Sequence, residues 1–322
     1  MMLKKLANTL RNNHNILEKK AINPIVQYID KNSFKSANIF TEIGEDSATI
    51  KNNDKYILIT TDRIKTSFIE QHPYGAGFSS ILVSVDDIYA CGGIPLAASI
   101  IISVTEPGIC KELLDGICEG SKKFKVPIIR GHTNVQGKFY ELSSTMIGEI
   151  KKEDYISAGN AQIGDDLILA VDFDGKVGAA SKLYYDTTSF KSSEEVLQKR
   201  KAMNTIAKKH LANSSKDVSN GGIFGTILQM VKYSNVGANV DITKIRIPPV
   251  LLKENYDLET FVQMYLTTSF ILTAPSHKSE ELIQVFKEYG LDANLIGKII
   301  KDPNLLKIND GTESESIEVI RF

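Results

Sequence analysis

Two adjacent carboxylates, Asp86 and Asp87, fall inside an otherwise apolar segment that is predicted to be a helix over residues 75–90. Apolar side chains recur there with the spacing of one buried helical stripe, and a Gly-Gly-Ile-Pro sequence then ends the helix. Adjacent helical positions point about 100° apart, so the two carboxylates cannot share a face. One can reach solvent while the other points into a cleft, where it needs a cation or hydrogen bonds. The alternative is two solvated charges at a helix edge.

Three more aspartates stand next to features that are typical of ligand sites. Asp46 follows Gly44 in a turn, predicted at residues 40–50, that leads into a strand. Asp62 ends the apolar strand Y-I-L-I-T-T-D, and the carboxyl end of a buried strand is a common position for a ligand-binding residue. Asp217 comes shortly before a pair of glycines. The alternative for these aspartates is an N-cap or a turn residue.

Two glycine-containing segments could bind anions. Residues 126–130 are predicted to form a short buried strand, and the loop R-G-H-T-N (130–134) at its end offers backbone N–H groups and small side chains. Gly221 and Gly222 begin an apolar helix. We expect the first-turn amides of this helix to be free donors, and its dipole favours a phosphate there. The alternative is that a preceding Ser or Asn simply caps the helix.

The elements that must position these residues alternate between strands and helices through residues 40–150, which predicts an α/β (α+β) fold. Residues 1–32 have the pattern of one or two amphipathic helices. The stretch 151–161 is polar and contains glycine, and the length of the chain favours two domains. We therefore predict a boundary there, between a domain at residues 1–155 and a second at residues 156–322.

The composition of the chain narrows the classes of function. Its 322 residues are 42% hydrophobic and 24% charged, and the net charge is −1. No gross bias therefore favours nucleic acid or an anionic membrane, and no uncharged apolar run approaches the roughly 20 residues of a membrane span. Three scattered cysteines without a C-x-x-C pair fit a reducing compartment. We expect a cytoplasmic protein with neither a nucleic-acid nor a membrane partner.

The order of the motifs is more specific than any one of them. The sequences G-E-D-S-A, T-T-D, S-V-D-D-I-Y-A-C-G-G-I-P, G-H-T and D-V-S-N-G-G follow one another along the chain. This order resembles the ATP-binding superfamily of aminoimidazole ribonucleotide (AIR) synthetase, thiamine-monophosphate kinase, selenophosphate synthetase and the hydrogenase maturation factor that dehydrates a carbamoyl group. The resemblance covers roughly residues 40–300 and is greatest to the AIR-synthetase-related branch known as methanogenesis marker protein 2.

The resemblance implies a fold and an assembly. The N-terminal α/β domain would dimerise into a shared mixed barrel packed with helices, and the C-terminal domain would be an α/β sandwich. ATP would lie in a cleft between the two domains, partly at the interface of a homodimer, and would act with Mg²⁺ on a small-molecule substrate.

The resemblance also implies roles for particular residues. In the kinase-like members, the positions that match Asp46, Asp62 and Asp87 hold magnesium ions against the ATP phosphates. Asp217 matches a carboxylate near the reacting phosphate and would be the catalytic residue. Phosphoryl transfer needs mainly positioning and charge neutralisation, which a cluster of aspartates can supply. Contacts to the nucleotide or its phosphates are expected from Gly44, Gly131, Thr133, Asn134, Gly221 and Gly222, and contacts to substrate or nucleotide from Arg130 and His132.

Two departures from the kinase pattern leave the reaction open. The kinase loop G-G-D-T is R-G-H-T in this chain, so that His132 stands where the kinase has a metal-binding aspartate, and Asn220 replaces the second aspartate of D-V-S-D. The sequence therefore predicts ATP- and Mg²⁺-dependent phosphotransfer, or ATP-driven activation of a small molecule. The alternatives are a thiamine-monophosphate kinase and a catalytically silent nucleotide-binding scaffold dimer.

Overall fold

The chain folds into two mixed α/β domains, described by a computed structural model for residues 2–40, 44–311 and 316–321. The first half of the chain contains α1 (Met2–Arg11), α2 (His14–Ala21), α3 (Asn23–Asn32), β1 (Ala48–Asn52), β2 (Lys55–Arg63), α4 (Thr66–Gln71), α5 (Pro73–Ala90), β3 (Ile94–Ser103), α6 (Pro107–Phe124), β4 (Ile128–Asn134) and β5 (Glu141–Lys151). Part of the turn predicted at residues 40–50, residues 41–43, lies outside the described residues.

The second half contains β6 (Asp166–Val171), β7 (Lys176–Val177), β8 (Tyr184–Asp186), α7 (Ser193–Lys208), β9 (Ser214–Asp217), α8 (Gly222–Tyr233), β10 (Gly237–Asp241), α9 (Pro249–Lys253), α10 (Leu258–Phe261), β11 (Tyr265–Leu266), β12 (Ser269–Ala274), α11 (Ser276–Glu288), β13 (Asp292–Ile300), β14 (Leu305–Asn309) and β15 (Ser316–Arg321). Short 3-10 helices cover Lys152–Asp154 and Ile242–Lys244.

The N-terminal domain is a five-stranded sheet with the strand order β1-β2-β5-β3-β4. The central helix α5 packs on one face of this sheet, and α6 packs on α5. Along β5, buried side chains such as Leu142 and Met146 alternate with half-exposed ones, as a strand with a single covered face requires. The helix predicted at residues 75–90 is thus confirmed. Among the described residues, every helix is too short or too polar to cross a membrane.

The C-terminal domain is built on a seven-stranded mixed sheet with the order β15-β14-β10-β13-β6-β12-β9. Its strands β6 and β12 are buried along their whole length, because helices cover both faces of the sheet. Helices α7 and α11 pack on the face that is turned towards the N-terminal domain, and α1 and α8 contribute to the core on the other face. The predicted two-domain α/β architecture is confirmed.

The first two helices of the chain pack against the C-terminal domain. Leu3, Leu6, Leu10 and Ile16 are buried in the core that also contains the outer face of the seven-stranded sheet. Arg11 Nε donates a hydrogen bond of 2.7 Å to the carbonyl oxygen of a residue in β15. The prediction of helices at the N-terminus is confirmed, but there are three among the described residues instead of one or two, and α3 is largely exposed. The core contacts of α1 and α2 lie with the second half of the chain. The division of the chain after residue 155 stays a prediction.

The segment R-G-H-T-N was predicted wrongly as a loop after a buried strand. It belongs to β4, which continues to Asn134 and is exposed at all seven positions. β4 runs parallel to β3, with Arg130 opposite Ser99 and His132 opposite Ile101. The pairing with β3 keeps these residues extended, and the edge position of β4 leaves their side chains exposed.

The two carboxylates of the central helix point to different sides, as expected: Asp87 is only partly buried and lines a cleft, and Asp86 points inward. Asp86 is buried and its Oδ1 accepts a hydrogen bond of 2.7 Å from Nε of Arg200, a fully buried residue of α7. The guanidinium also stacks 5.0 Å from the ring centroid of Phe124. Next to this pair, the side chain of Asn204 donates to the carbonyls of Gly92 and Gly93 at the end of α5. Helix α7 therefore joins the two domains through the C-terminal half of α5.

We predict that Arg200→Met lowers the free energy of unfolding by about 3–5 kcal/mol, because it leaves the Asp86 carboxylate buried without its cation. Urea denaturation followed by circular dichroism measures this loss. Lys209→Met at the end of the same helix is the control, because its ion pair with Glu281 is exposed and is expected to contribute only about 0–1 kcal/mol. Similar small losses in the two variants would show that the buried pair does not hold the domains together.

Candidate functional site

A cleft of about 810 Å³ lies between the two domains. The N-terminal domain lines it with the turn before β1, the end of β2, α4 and one side of α5. The C-terminal domain contributes the end of β9, the start of α8 and the aromatic pair Tyr184 and Tyr265, whose ring centroids are 5.8 Å apart. Helix α2 closes one side with Lys19. Elements that are far apart in the sequence therefore meet in one polar cavity.

Three carboxylates from both domains converge in this cleft. Asp46, Asp87 and Asp217 each have an oxygen within 4.8 Å of the oxygens of the other two. Asp46 comes from the turn before β1, Asp87 from α5 and Asp217 from the end of β9. The backbone N–H of Asp217 donates to Asp46 Oδ2 over 3.4 Å, which ties the two domains together at this point. We call these three residues the carboxylate cluster.

Asp62, the fourth predicted aspartate, lies beside the cluster. It lines the cleft at the end of β2, and its Oδ2 accepts a hydrogen bond of 2.7 Å from the hydroxyl of Ser84. Behind it, Ser84 also contacts the hydroxyl of Ser144, which continues this polar network into β5. Thr60, two residues before Asp62, donates its hydroxyl proton to Asp87 Oδ2. The motif T-T-D thus supplies both a carboxylate and a hydroxyl that orients its neighbour.

Negative charge on the carboxylate cluster is costly in these surroundings. Burial raises the pKa of Asp87 well above its ordinary value, and the charges of Asp62, Asp217 and Asp46 raise it further. Burial and Asp46 likewise raise the pKa of Asp217. Carboxylate oxygens at this spacing are the ligands that Mg²⁺ prefers, and a cation would relieve their repulsion. The donor set therefore fits magnesium.

Two lysines that the sequence analysis did not select face the cluster. Lys216 contacts Asp46, and both side chains are buried. Burial alone would lower the pKa of Lys216, but the charges of Asp46 and Asp217 outweigh it and raise this pKa well above its ordinary value. Lys19 donates a hydrogen bond of 2.6 Å to Gln229, and burial together with the charge of Lys216 lowers its pKa to about 7. Only the position of Lys216 directly before Asp217 could have been noticed in the sequence.

The glycines selected from the sequence differ in their surroundings. Gly44 lines the cleft with φ +122°, and a Cβ atom there would lie 2.2 Å from the ring of Tyr233. Gly221 also lines the cleft, with φ +94°. Gly222 faces backbone instead, because a Cβ atom there would lie 2.2 Å from the carbonyl oxygen of Val262.

The first amides of α8 were expected to be free donors, and two of them are not. The N–H of Gly222 donates to the carbonyl of Ser219, and the N–H of Ile223 donates to the carbonyl of Val262. Both bonds arise because the chain turns sharply before α8 and packs against the segment that precedes β11. The role of Gly221 and Gly222 in phosphate binding stays a prediction.

The residues of β4 lie apart from the cleft of their own chain. The described residues that line the cleft include none of the five predicted contact residues of β4, namely Arg130, Gly131, His132, Thr133 and Asn134. These side chains are exposed on the edge strand of the N-terminal sheet. Their contacts to nucleotide or substrate therefore stay predictions that would require this edge to reach the cleft of another copy.

Comparison with known families finds two matching sequence models. Residues 44–150 match the AIR synthase related protein, N-terminal domain, and residues 163–306 match the corresponding C-terminal domain. An uncharacterized protein of Methanocaldococcus jannaschii is 36% identical over 98% of this chain and 97% of its own length.

Named enzymes are more distant relatives. A phosphoribosylformylglycinamidine cyclo-ligase of Pyrococcus horikoshii is 24% identical over 84% of this chain and 86% of its own. A thiamine-monophosphate kinase of Buchnera aphidicola is 26% identical over 85% of this chain and 89% of its own. Among solved structures, a ThiL protein complexed with AMPPCP and TMP has a TM-score of 0.67, with 19% identity over 92% of this chain and 95% of that one. The last likeness shows the fold.

We predict that Asp87→Asn stabilises the metal-free protein by about 0.5–2 kcal/mol at neutral pH, because it removes one of several crowded negative charges while keeping an acceptor for Thr60. A carboxyl with a raised folded-state pKa destabilises the fold progressively as the pH rises from its ordinary pKa towards the raised one. In chelator, the wild type should therefore lose stability over this pH range, and the variant should lose less. Urea titrations at several pH values measure the difference.

The control for this prediction is Asp115→Asn, which removes an exposed carboxylate of α6 that pairs with Lys111. Its stability should stay close to that of the wild type over the same pH range. A destabilised Asp87→Asn protein in chelator would show that the cluster is not under electrostatic strain.

Proposed function

The chain belongs to the AIR synthase related family, and from this premise we propose that its interdomain cleft binds ATP with Mg²⁺ and uses the γ-phosphate to phosphorylate or activate a small molecule. The observation that carries the proposal is the convergence of Asp46, Asp87 and Asp217 from both domains to within 4.8 Å. Relatives named as a cyclo-ligase and a kinase support it, as does a similar fold solved with AMPPCP.

In this proposal, Asp46, Asp87 and Asp217 hold the metal ion, with Asp62 at its side. Magnesium supplies positive charge that offsets the phosphate charges of the nucleotide. Thr60 and Ser84 fix the orientation of Asp87 and Asp62 through hydrogen bonds from β2 and α5.

The remaining groups of the cleft assist this arrangement. Lys19 lies at the edge of the cluster, where its ammonium group can donate to a phosphate oxygen. Tyr184 and Tyr265, whose rings are tilted by 39° to each other, give one wall of the cleft an aromatic surface that a ring of the nucleotide or of the acceptor can contact.

Thiamine-monophosphate kinase activity is a second candidate, because a relative with this name matches most of the chain. Incubation with ATP, Mg²⁺ and thiamine monophosphate, with the diphosphate measured by chromatography, tests it directly. Turnover would assign the acceptor. Tight nucleotide binding without turnover on this or other small-molecule acceptors would favour the scaffold interpretation, which the histidine at position 132 and the asparagine at position 220 support.

We also propose that the chain forms a homodimer through the exposed edge of the N-terminal sheet. β4 is an exposed edge strand, and large apolar side chains surround it. Ile101, Ile128 and Ile129 are 38–64% exposed, and Val135 and Phe139 are 66% and 70% exposed. An unprotected edge with apolar neighbours is a typical surface for pairing with another chain. Such pairing would bring the side chains of β4 towards a second copy.

The nucleotide proposal predicts that a non-hydrolysable ATP analogue binds the wild type only when Mg²⁺ is present, as measured by isothermal titration calorimetry. Asp217→Asn should weaken this binding at least about tenfold, because it removes a metal ligand. Asp302→Asn is the matched control, since its carboxylate is exposed in the same domain and pairs with Lys307. Binding of equal strength with and without Mg²⁺, or no binding to a folded wild type, would contradict the proposal.

The dimer proposal predicts that Ile129→Glu shifts the chain from dimer to monomer in analytical ultracentrifugation, since burying the new carboxylate against apolar groups costs about 2 kcal/mol or more. Leu252→Glu, at a position in α9 that is 54% exposed, should remain dimeric. A wild type that sediments as a monomer at micromolar concentration would refute the dimer.

A further inference from the structure

A lysine lies inside the carboxylate cluster. Lys216 and Asp46 are each 5% exposed, and the ammonium group contacts Asp46 Oδ1 directly. The ring of Tyr233 covers the ammonium group from another side, with its centroid 5.9 Å away. Lys216 is the residue before Asp217 on β9, so the strand that provides a carboxylate of the cluster also provides its nearest cation.

The contacts of Asp46 limit what else this residue can bind. Its Oδ1 accepts from Lys216 and its Oδ2 from the backbone N–H of Asp217. A carboxylate has about four lone-pair sites, so Asp46 can still share one cation with Asp87 and Asp217. Any divalent ion at Asp46 lies close to the ammonium group, whose like charge weakens its binding in this buried position. A second ion would be repelled by both the ammonium group and the first ion.

The other lysine of the cleft does not take this position. Lys19 donates to the side chains of Gln229, at 2.6 Å, and Ser219, at 3.4 Å. It therefore lines the cleft beside the cluster without a direct contact to Asp46. The two lysines thus differ in their partners: one contacts a carboxylate of the cluster and the other contacts neutral groups.

We propose that Lys216 is an internal counter-ion of Asp46, so that the cleft takes up a single divalent cation with its nucleotide. The lysine takes the place of a second metal ion that a cluster of aspartates alone would bind. This inference rests on the proposed function for the identity of the nucleotide. The ion pair between Lys216 and Asp46 can also be tested in the protein without nucleotide, through the binding of Mg²⁺ alone.

The test compares the response of nucleotide-free protein to Mg²⁺ in thermal unfolding. The wild type should be stabilised only at high Mg²⁺ concentration. Lys216→Met should lower the half-saturating Mg²⁺ concentration about tenfold or more, because the variant removes a unit positive charge a few ångström from the ion. An unchanged half-saturating concentration in a folded Lys216→Met protein would overturn the proposal.

Two further variants separate charge from packing. Lys216→Arg keeps the positive charge and should respond to Mg²⁺ as the wild type does. The double variant Asp46→Asn with Lys216→Met removes both charges of the pair and should also return towards the wild-type response. A double variant that binds Mg²⁺ as tightly as Lys216→Met would overturn the proposal, because the effect would then not depend on the charge of Asp46.

Counting metal ions on the wild type keeps the proposal testable if Lys216→Met does not fold. Equilibrium dialysis with AMPPCP and Mn²⁺ should give one tightly held Mn²⁺ per chain, and two would overturn the proposal. The outcomes also separate the two hypotheses. Mg²⁺-dependent nucleotide binding with two ions per chain would support the proposed function and refute the counter-ion. If the protein binds no nucleotide but Lys216→Met responds to a lower Mg²⁺ concentration than the wild type, the counter-ion is supported and the proposed function is refuted.

Discussion

The arrangement of the cleft depends on the buried ion pair between Asp86 and Arg200. It restricts the rotation of α5 about its own axis, because Asp86 has to point towards the buried Nε of Arg200 to accept its hydrogen bond. Asp87, about 100° further round the helix, is thereby turned into the cleft. Since Arg200 belongs to the C-terminal domain, the same contact brings that domain, and Asp217 with it, close to the helix. The ion pair therefore helps to hold the two domains together and to turn Asp87 into the cleft, together with the contacts of Asn204 and Asp46.

Asp87 in the cleft, unlike Asp86, has no cation as its hydrogen-bond partner in the part of the chain that the structure describes. Asp86 has a dedicated cation, whereas Asp87 has a hydroxyl donor and several negative neighbours. Burying a carboxylate without a cation costs stability, and the rest of the fold must compensate for it. The two adjacent aspartates thus differ in their surroundings: Asp86 is buried and paired with a cation, and Asp87 is partly buried in the cleft without one among the described residues. Under the proposed function, this unpaired charge is available for a ligand of opposite charge.

Local patterns in the sequence predicted the parts of the fold that local physics determines. Helical spacing was enough to predict the apolar stripe of α5, and strand composition was enough to predict the strand with Asp62 near its end. Motif order was enough to select the four aspartates of the cleft. The positions of Lys19 and Lys216 could not be predicted in this way, because each depends on contacts between segments about 200 residues apart. The exposure of β4 could not be predicted either, since only the strand order shows that it is an edge. The amides of Gly222 and Ile223 donate hydrogen bonds to the carbonyls of Ser219 and Val262. These bonds could not be predicted, because the tertiary structure brings the groups together.

The carboxylate cluster lowers the stability of the fold, and this helps to decide which functions are compatible with the cleft. A scaffold needs a stable domain interface, which α7 already provides through Arg200 and Asn204. A scaffold that binds nucleotide could use Asp46, Asp87 and Asp217, within 4.8 Å of one another, as an enzyme would. A scaffold that binds no ligand would gain nothing from them, because charges of the same sign at this distance repel. The two departures from the kinase pattern differ in position: the histidine at position 132 lies outside the cleft of its own chain, whereas Asn220 lines that cleft. The convergence of Asp46, Asp87 and Asp217 therefore supports the proposal that the cleft binds charged ligands, over a cleft that only connects two domains. Turnover, rather than nucleotide binding, is what distinguishes an enzyme from a nucleotide-binding scaffold.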